Sequence, residues 1–206
     1  MESNRNENSA RLRGIAGGQP VFSHETHGER FYTFPLEVKR LSGIADRLNV
    51  VAPGPLAEPD TVRPGGMLEI TGELRSFNNK SGKGNRLVIT VFAKEVKKTD
   101  ELFYNYILLS GSLCKAPVFR RTPLGRDICD LMLAVNRKYG RADYLPCIAW
   151  GQLAAETKDL DVGAMLRLEG RVQSRSYVKT ENGASQERTA YEVSVMKLLG
   201  PEEEQN

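Results

Sequence analysis

The chain has 206 residues, 40% apolar and 27% charged, with a formal net charge of +3; this is the make-up of a folded chain with room for one large domain or two of about 100 residues. No run approaches the roughly 20 apolar residues of a membrane span, and Cys114, Cys129 and Cys147, an odd number without CxxC spacing, read as small apolar residues of a reduced protein. The last six residues, PEEEQN, carry −3 and leave +6 for the rest, a mild basic bias that admits a nucleic-acid partner without requiring one.

In chain order, MESNRNENSA is polar with no apolar h-region, so it is expected to be a disordered tail over 1–9 and not a secretion signal. From Leu12 onward the chain announces a repeat. Leu12–Ala57 lies over Leu109–Ala154 without a gap, and 17 of the 46 columns are identical, among them Gly14/Gly111, Pro20-Val21-Phe22/Pro117-Val118-Phe119, Arg40/Arg137 and Gly43/Gly140. One residue out of step, GGMLEITGELRS (Gly65–Ser76) lies over GAMLRLEGRVQS (Gly163–Ser174), and Arg86–Val91 over Arg188–Val193. A period near 100 is too long for a solenoid unit, so each copy is a domain with its own core. The expected boundaries are 10–98 and 105–200, with a linker at 99–104 and a short acidic tail at 201–206.

Each copy reads as strands. Leu68, Ile70, Gly72 and Leu74 alternate with polar neighbours, as do Leu166, Leu168, Gly170 and Val172, and Leu131, Leu133 and Val135 alternate with Met132, Ala134 and Asn136; period two means half-buried strands of an antiparallel sheet. Gly72 and Gly170 fall on the inward register, where a strongly bent strand needs close backbone approach. NNKSGKGNR (Asn78–Arg86) lacks the GxxxxGK[ST] spacing of a phosphate-binding loop and runs into a strand, so it reads as a basic hairpin tip, matched by the longer VKTENGASQER. A helix is expected only at GQLAAETKDL (Gly151–Leu160); its counterpart carries Pro55 and Pro59 and should be shortened or absent. The fold class is therefore all-β: two tandem five-stranded Greek-key barrels of the OB type with a short helix in the second, a sandwich being the alternative from pattern alone.

His24 and His27, in SHETHG, are the two histidines of the chain. No Cys or carboxylate cluster with ligand spacing completes a metal site, and no Ser-His-Asp or Cys-His set can be assembled. No enzyme, metal, cofactor or small-molecule substrate is expected.

NYILLSGSLCKAPVFRRTPLG, LAVNR, YLPCIAWGQLA and GAMLRLEGRVQSRSY follow one another at spacings that make Asn105–Leu199 resemble the bacterial single-stranded DNA-binding protein family. The first copy inherits the resemblance through the repeat. In that family each barrel lays a single strand across a sheet face and a few aromatics stack on bases. By position the resemblance puts these at Tyr139, Tyr144, Trp150 and Tyr177, and all four are aromatic here. A flat π-face stacks on any base, so aromatics in a basic groove bind strands with little sequence preference. Arg120, Arg121, Arg137, Lys138, Arg141, Arg175 and Lys179 interleave with them as candidate phosphate contacts.

The first copy has Ser42, Arg47, Pro53 and Asn79 at the four aromatic columns. It is expected to have kept the barrel and lost most of the stacking site, with Arg40, Arg47, Arg75, Lys80, Lys83 and Arg86 as weaker phosphate candidates. Phe31, Tyr32 and Phe34 sit at columns filled by Ile128, Cys129 and Leu131 and read as core or interface. The resemblance implies a homodimer presenting four barrels, cytoplasmic and nucleoid-associated, active in replication, recombination or repair. The family's flexible tail ends in an acidic and apolar tip that recruits other enzymes; GPEEEQN has the acidity without spacer or tip, which points to an auxiliary role. The alternative is a protein-interaction module, a primosome or recombination scaffold with secondary nucleic-acid binding. RNA also stays open, because nothing marks a 2′-hydroxyl contact.

Overall fold

The computed structural model describes residues 7–81, 84–137, 140–181 and 184–200. Its strands in chain order are β1 (Asn8–Ala16), β2 (Val21–Thr26), β3 (Glu29–Lys39), β4 (Ala45–Pro53), β5 (Met67–Asn78), β6 (Leu87–Lys98), β7 (Tyr104–Leu113), β8 (Val118–Arg121), β9 (Asp127–Asn136), β10 (Ala142–Trp150), β11 (Met165–Glu181) and β12 (Ala184–Leu199). Among the described residues one α-helix, α1 (Gln152–Thr157), lies between β10 and β11.

The first copy pairs its strands in the order β2-β3-β4-β6-β5-β1, and a further β3–β1 pairing at Ile15↔Glu37 closes the sheet on itself. The second repeats the pattern as β8-β9-β10-β12-β11-β7, closed by β7–β9 at Ser112↔Ala134. In each, the fourth and sixth strands run parallel (Val50↔Val91, Cys147↔Val193) among antiparallel neighbours. Closure decides for barrels over a sandwich, and the strand order is the Greek key of the OB type. Each barrel is five long strands plus a short edge strand, β2 or β8, that begins just after Pro20 or Pro117. Proline there removes a ladder donor and separates the edge strand from the one before.

Alternation buries the residues that the pattern singled out except Leu166, which is half-buried. Leu68, Ile70 and Leu74 in β5, Leu131, Leu133 and Val135 in β9, and Leu168 and Val172 in β11 are all at most 4% exposed. A side chain on Gly14 or Gly111 would meet the carbonyl oxygen of Glu37 or Ala134 at 2.6 Å, which is why both copies keep glycine where the barrel closes. Gly170 is constrained in the same way by Ser194.

The helix forms only in the second copy. There Gly151, at φ 56°, turns the chain out of β10, and Thr157 Oγ1 donates back to Leu153 O at 2.8 Å. In the first copy Pro55 limits the equivalent stretch to a single 3-10 turn, Gly54–Leu56.

Internal contacts divide the chain into two units. One comprises residues 7–8, Ile107–Val172 and 192–200; the other comprises Ser9–Tyr106 together with Gln173–Tyr191, the distal half of the β11–β12 hairpin. Among the described residues no helix is long and apolar enough to cross a membrane.

Candidate nucleic-acid interface

In the unit holding Ile107–Val172, β9 and β10 pair without a break from Asn136↔Ala142 to Ile128↔Trp150. Opposed residues share a face, so Tyr144 sits beside Ala134, Pro146 beside Met132, Ile148 beside Asp130 and Trp150 beside Ile128. Odd-numbered Asp143, Leu145, Cys147 and Ala149 point inward and are buried. On the opposite, outward face Tyr144 is 47% exposed and Trp150 37%, while Ile148 and Ile128 are covered, 4% and 1% exposed. Six residues at a strand's rise put the two rings about 20 Å apart along β10. The edge strand extends this face with Val118 beside Asp130 and Arg120 beside Ile128.

Tyr177 belongs to the other unit. It is half-buried, its hydroxyl donates to Asn85 Oδ1 at 3.1 Å, and the Arg175 guanidinium lies 5.7 Å from its ring centroid. Tyr139 and Lys138 fall outside the described residues, as does Lys83, and nothing is described of the Lys179 side chain.

The candidate cations separate into two groups. Arg120 donates to both oxygens of Asp130 (2.6 and 3.1 Å) and Arg121 to both of Asp127 (2.8 and 3.4 Å), on the exposed edge. The hydrogen bond to Asp130 holds the Arg120 guanidinium above its ordinary value, and that to Arg121 holds the Asp127 carboxyl below the usual carboxylate range. Arg137 is bound through Nε and Nη2 to the fully buried Asp143. By contrast Arg141 and Arg175 are exposed and meet no carboxylate among the described residues.

In the first copy Arg40 donates to Asp46 Oδ2 at 2.8 Å and Oδ1 at 2.6 Å, and Asp46 is fully buried. Arg40–Asp46 and Arg137–Asp143 are thus one ion pair occurring in both copies. Each lies at a turn closed by a backbone bond, Arg40 N to Ile44 O and Arg137 N to Arg141 O. Arg75 pairs with Glu73 and lies over the Phe92 ring. Arg47, Lys80 and Arg86 are exposed. Sequence reasoning missed Asp46 and Asp143; the signal was that both are identical columns of the repeat, six residues after an identical arginine.

At the remaining columns without aromatics, Ser42 is exposed, Pro53 half-buried, and Asn79 shapes the β5–β6 tip by accepting from Ser81 N at 3.0 Å. Arg47 uses its main chain: its N–H donates to Ser174 Oγ at 3.3 Å and its carbonyl accepts from Tyr191 Oη at 3.1 Å. Ser174 also donates through N (2.7 Å) and Oγ (3.2 Å) to Asp46 Oδ1, while its carbonyl accepts from Arg40 at 3.1 Å. Phe31 and Phe34 are core, 5% and 1% exposed; Tyr32 is half-buried, edge-on to Phe22.

His24 stacks on Phe31 with centroids 4.9 Å apart, and among the described residues no group of three His, Cys, Asp or Glu is placed to hold a metal. Burial pushes the thiols of Cys129 and Cys147 up, as expected of small core residues. An open cleft of about 930 Å³ beside Tyr32 and Pro55 carries Glu29 and Glu58 with Arg30, a mixed lining that does not favour an anion.

The model of the Single-strand binding protein family matches residues 104–199. The chain is 30% identical over 105 residues to single-stranded DNA-binding protein B of Bacillus subtilis, covering 48% of this chain and 92% of that protein. It is 35% identical over 80 residues to single-stranded DNA-binding protein 2 of Listeria innocua, covering 35% of this chain and 50% of that one. The chain therefore spans about half the length of the Listeria relative, and the same holds for a relative in Halalkalibacterium halodurans. Among solved structures, the wild-type single-stranded DNA binding protein from Thermus aquaticus superposes with a TM-score of 0.78 at 22% identity, over 97% of this chain and 95% of that one. That likeness extends the fold match to both copies. With 92% of the Bacillus protein covered at 30% identity, the chain belongs to the single-strand binding protein family.

Proposed function

We propose that this protein binds single-stranded DNA with little sequence preference and without catalysis, chiefly through the second copy. The observation that carries the reading is the outward face of β9–β10, where Tyr144 and Trp150 are exposed while Arg47 and Pro53 stand at the same columns of the first copy. Exposed rings on a strand face stack on bases, each contact worth about 1–3 kcal/mol, and neighbouring cations neutralise phosphates. The cations best suited are Arg141 and Arg175, which meet no carboxylate among the described residues; Arg120 and Arg121 would exchange Asp130 and Asp127 for phosphate. Stacking is assigned to Tyr139, Tyr144, Trp150 and Tyr177, and the first copy, 10–98, acts mainly as scaffold. Family membership supports a homodimer with four barrels, working on nucleoid DNA in the cytoplasm during replication, recombination or repair.

A second reading, the interaction module, draws on the edge strands. Val21 and Phe22 are 63% and 54% exposed in β2, and Val118 and Phe119 are 57% and 43% in β8, so both copies present the same apolar pair on an edge.

The test is anisotropy of labelled oligo-dT, matched oligo-rU and duplex DNA over a range of salt. The proposal expects oligo-dT to bind far more tightly than duplex, with affinity falling linearly in log salt. It expects R141A or R175A to lower the salt slope by about 0.7 each. Equal binding of duplex, or no binding of any strand, would overturn it in favour of the interaction module. Preference for oligo-rU would move it to RNA.

A further inference from the structure

The unit of Ser9–Tyr106 and Gln173–Tyr191 holds one aromatic assigned to stacking, Tyr177, and the residue that fixes it comes from the first copy. Asn85 lies in the turn between β5 and β6. Its side-chain carbonyl accepts from the Tyr177 hydroxyl at 3.1 Å, and its amide donates to the carbonyl of Thr189. One side chain thus ties down a residue of β11 and a residue of β12. At the base of the same segment Ser174 is bound to Asp46, Arg40 and Arg47, and Tyr191 to Arg47. Arg175 and Tyr177, two apart on a strand, share a face, and the guanidinium lies 5.7 Å from the ring centroid.

A ring offered to a base must not rotate away from it, since ordering a free tyrosine on binding subtracts from the stacking gain. A hydroxyl bond to a fixed acceptor removes that freedom beforehand. We propose that Asn85 is a positioning residue for single-strand binding, holding Tyr177 oriented for stacking. The copy with no aromatic at the four stacking columns thereby contributes to the site at one remove. The proposal rests on the single-strand reading above. It adds Asn85, an uncharged residue of a hairpin tip that stands at none of the aromatic columns.

The test measures oligo-dT affinity of full-length Y177A, Y177F, N85A and the N85A/Y177F and N85A/Y177A pairs, with thermal midpoints alongside. Y177A loses about ten-fold or more, the worth of one stacked base. Y177F and N85A each lose about three-fold, the worth of one hydrogen bond, with the salt slope of the wild type because no phosphate contact is removed. Both double variants bind no more weakly than their weaker parent, which a general loss of stability would not produce. Wild-type affinity in Y177F overturns the proposal, and does so even if N85A fails to fold. A further loss on adding N85A to Y177A overturns it too, by making Asn85 a direct contact. Wild-type affinity in Y177A sinks the stacking role of Tyr177 itself, a result distinct from the other two.

Discussion

Arg40→Ala separates a structural arginine from a phosphate-binding one. Asp46 is fully buried, and its carboxylate is held by two bonds from Arg40 and two from Ser174, through N at 2.7 Å and Oγ at 3.2 Å. Removing one partner of a buried ion pair typically costs 3–5 kcal/mol, because the other charge is left desolvated. Here Ser174 still donates twice to the orphaned carboxylate, so the cost falls at the lower end, about 3 kcal/mol. With a urea m-value of about 2 kcal/mol/M, the unfolding midpoint, followed by circular dichroism, drops by about 1.5 M. Arg40→Lys recovers less than half, since an ammonium cannot reproduce the two-pronged bond. Oligo-dT binding under conditions where the variant is folded keeps the wild-type salt slope. An unchanged midpoint with a slope reduced by about 0.7 would refute the reasoning and return Arg40 to the phosphate contacts.

Three further predictions test other parts of the molecule. Tyr144→Ala and Trp150→Ala, at residues 47% and 37% exposed, should each weaken oligo-dT binding by about 1–3 kcal/mol in an anisotropy titration, with thermal midpoints little changed. Gly111→Ala should cost about 1–3 kcal/mol of stability by urea unfolding, because its methyl group would sit 2.6 Å from the Ala134 carbonyl oxygen. Burial raises the Tyr191 hydroxyl above its ordinary value of about 10. The unfolded chain therefore ionises first, and stability falls as pH rises above about 10; thermal midpoints of Tyr191→Phe over that range should fall less steeply than those of the wild type.

Much of this fold is written locally. Period-two runs name strands such as Leu68–Leu74 and Leu131–Val135, and the duplication returns as the same strand order in both copies. Pro55 against Gln152 decides which copy forms a helix. Two features depend on contacts that no local pattern encodes. Gln173–Tyr191 is second-copy sequence by the repeat, yet its contacts are with Ser9–Tyr106, through Ser174, Tyr177, Thr189 and Tyr191. An arginine bound to a buried aspartate also looks the same in sequence as one facing a phosphate. Arg40 and Arg137 differ from Arg141 only in having Asp46 and Asp143 across a turn. Comparing the copies would have shown it, since a pair kept while Tyr144 and Trp150 have no aromatic counterpart serves the barrel and not the stacking face.

The central claim is that the outward face of β10 stacks on single strands, and Trp150, the one tryptophan of the chain, reports on it directly. Oligo-dT titrated into the protein at two salt concentrations, with duplex DNA as control, should quench Trp150 fluorescence strongly, less at high salt, and not with duplex. Absence of quenching while a mobility assay shows the strand bound would contradict the account, because the contact would then lie away from β10. No binding by either measure would remove single-stranded DNA as the ligand altogether.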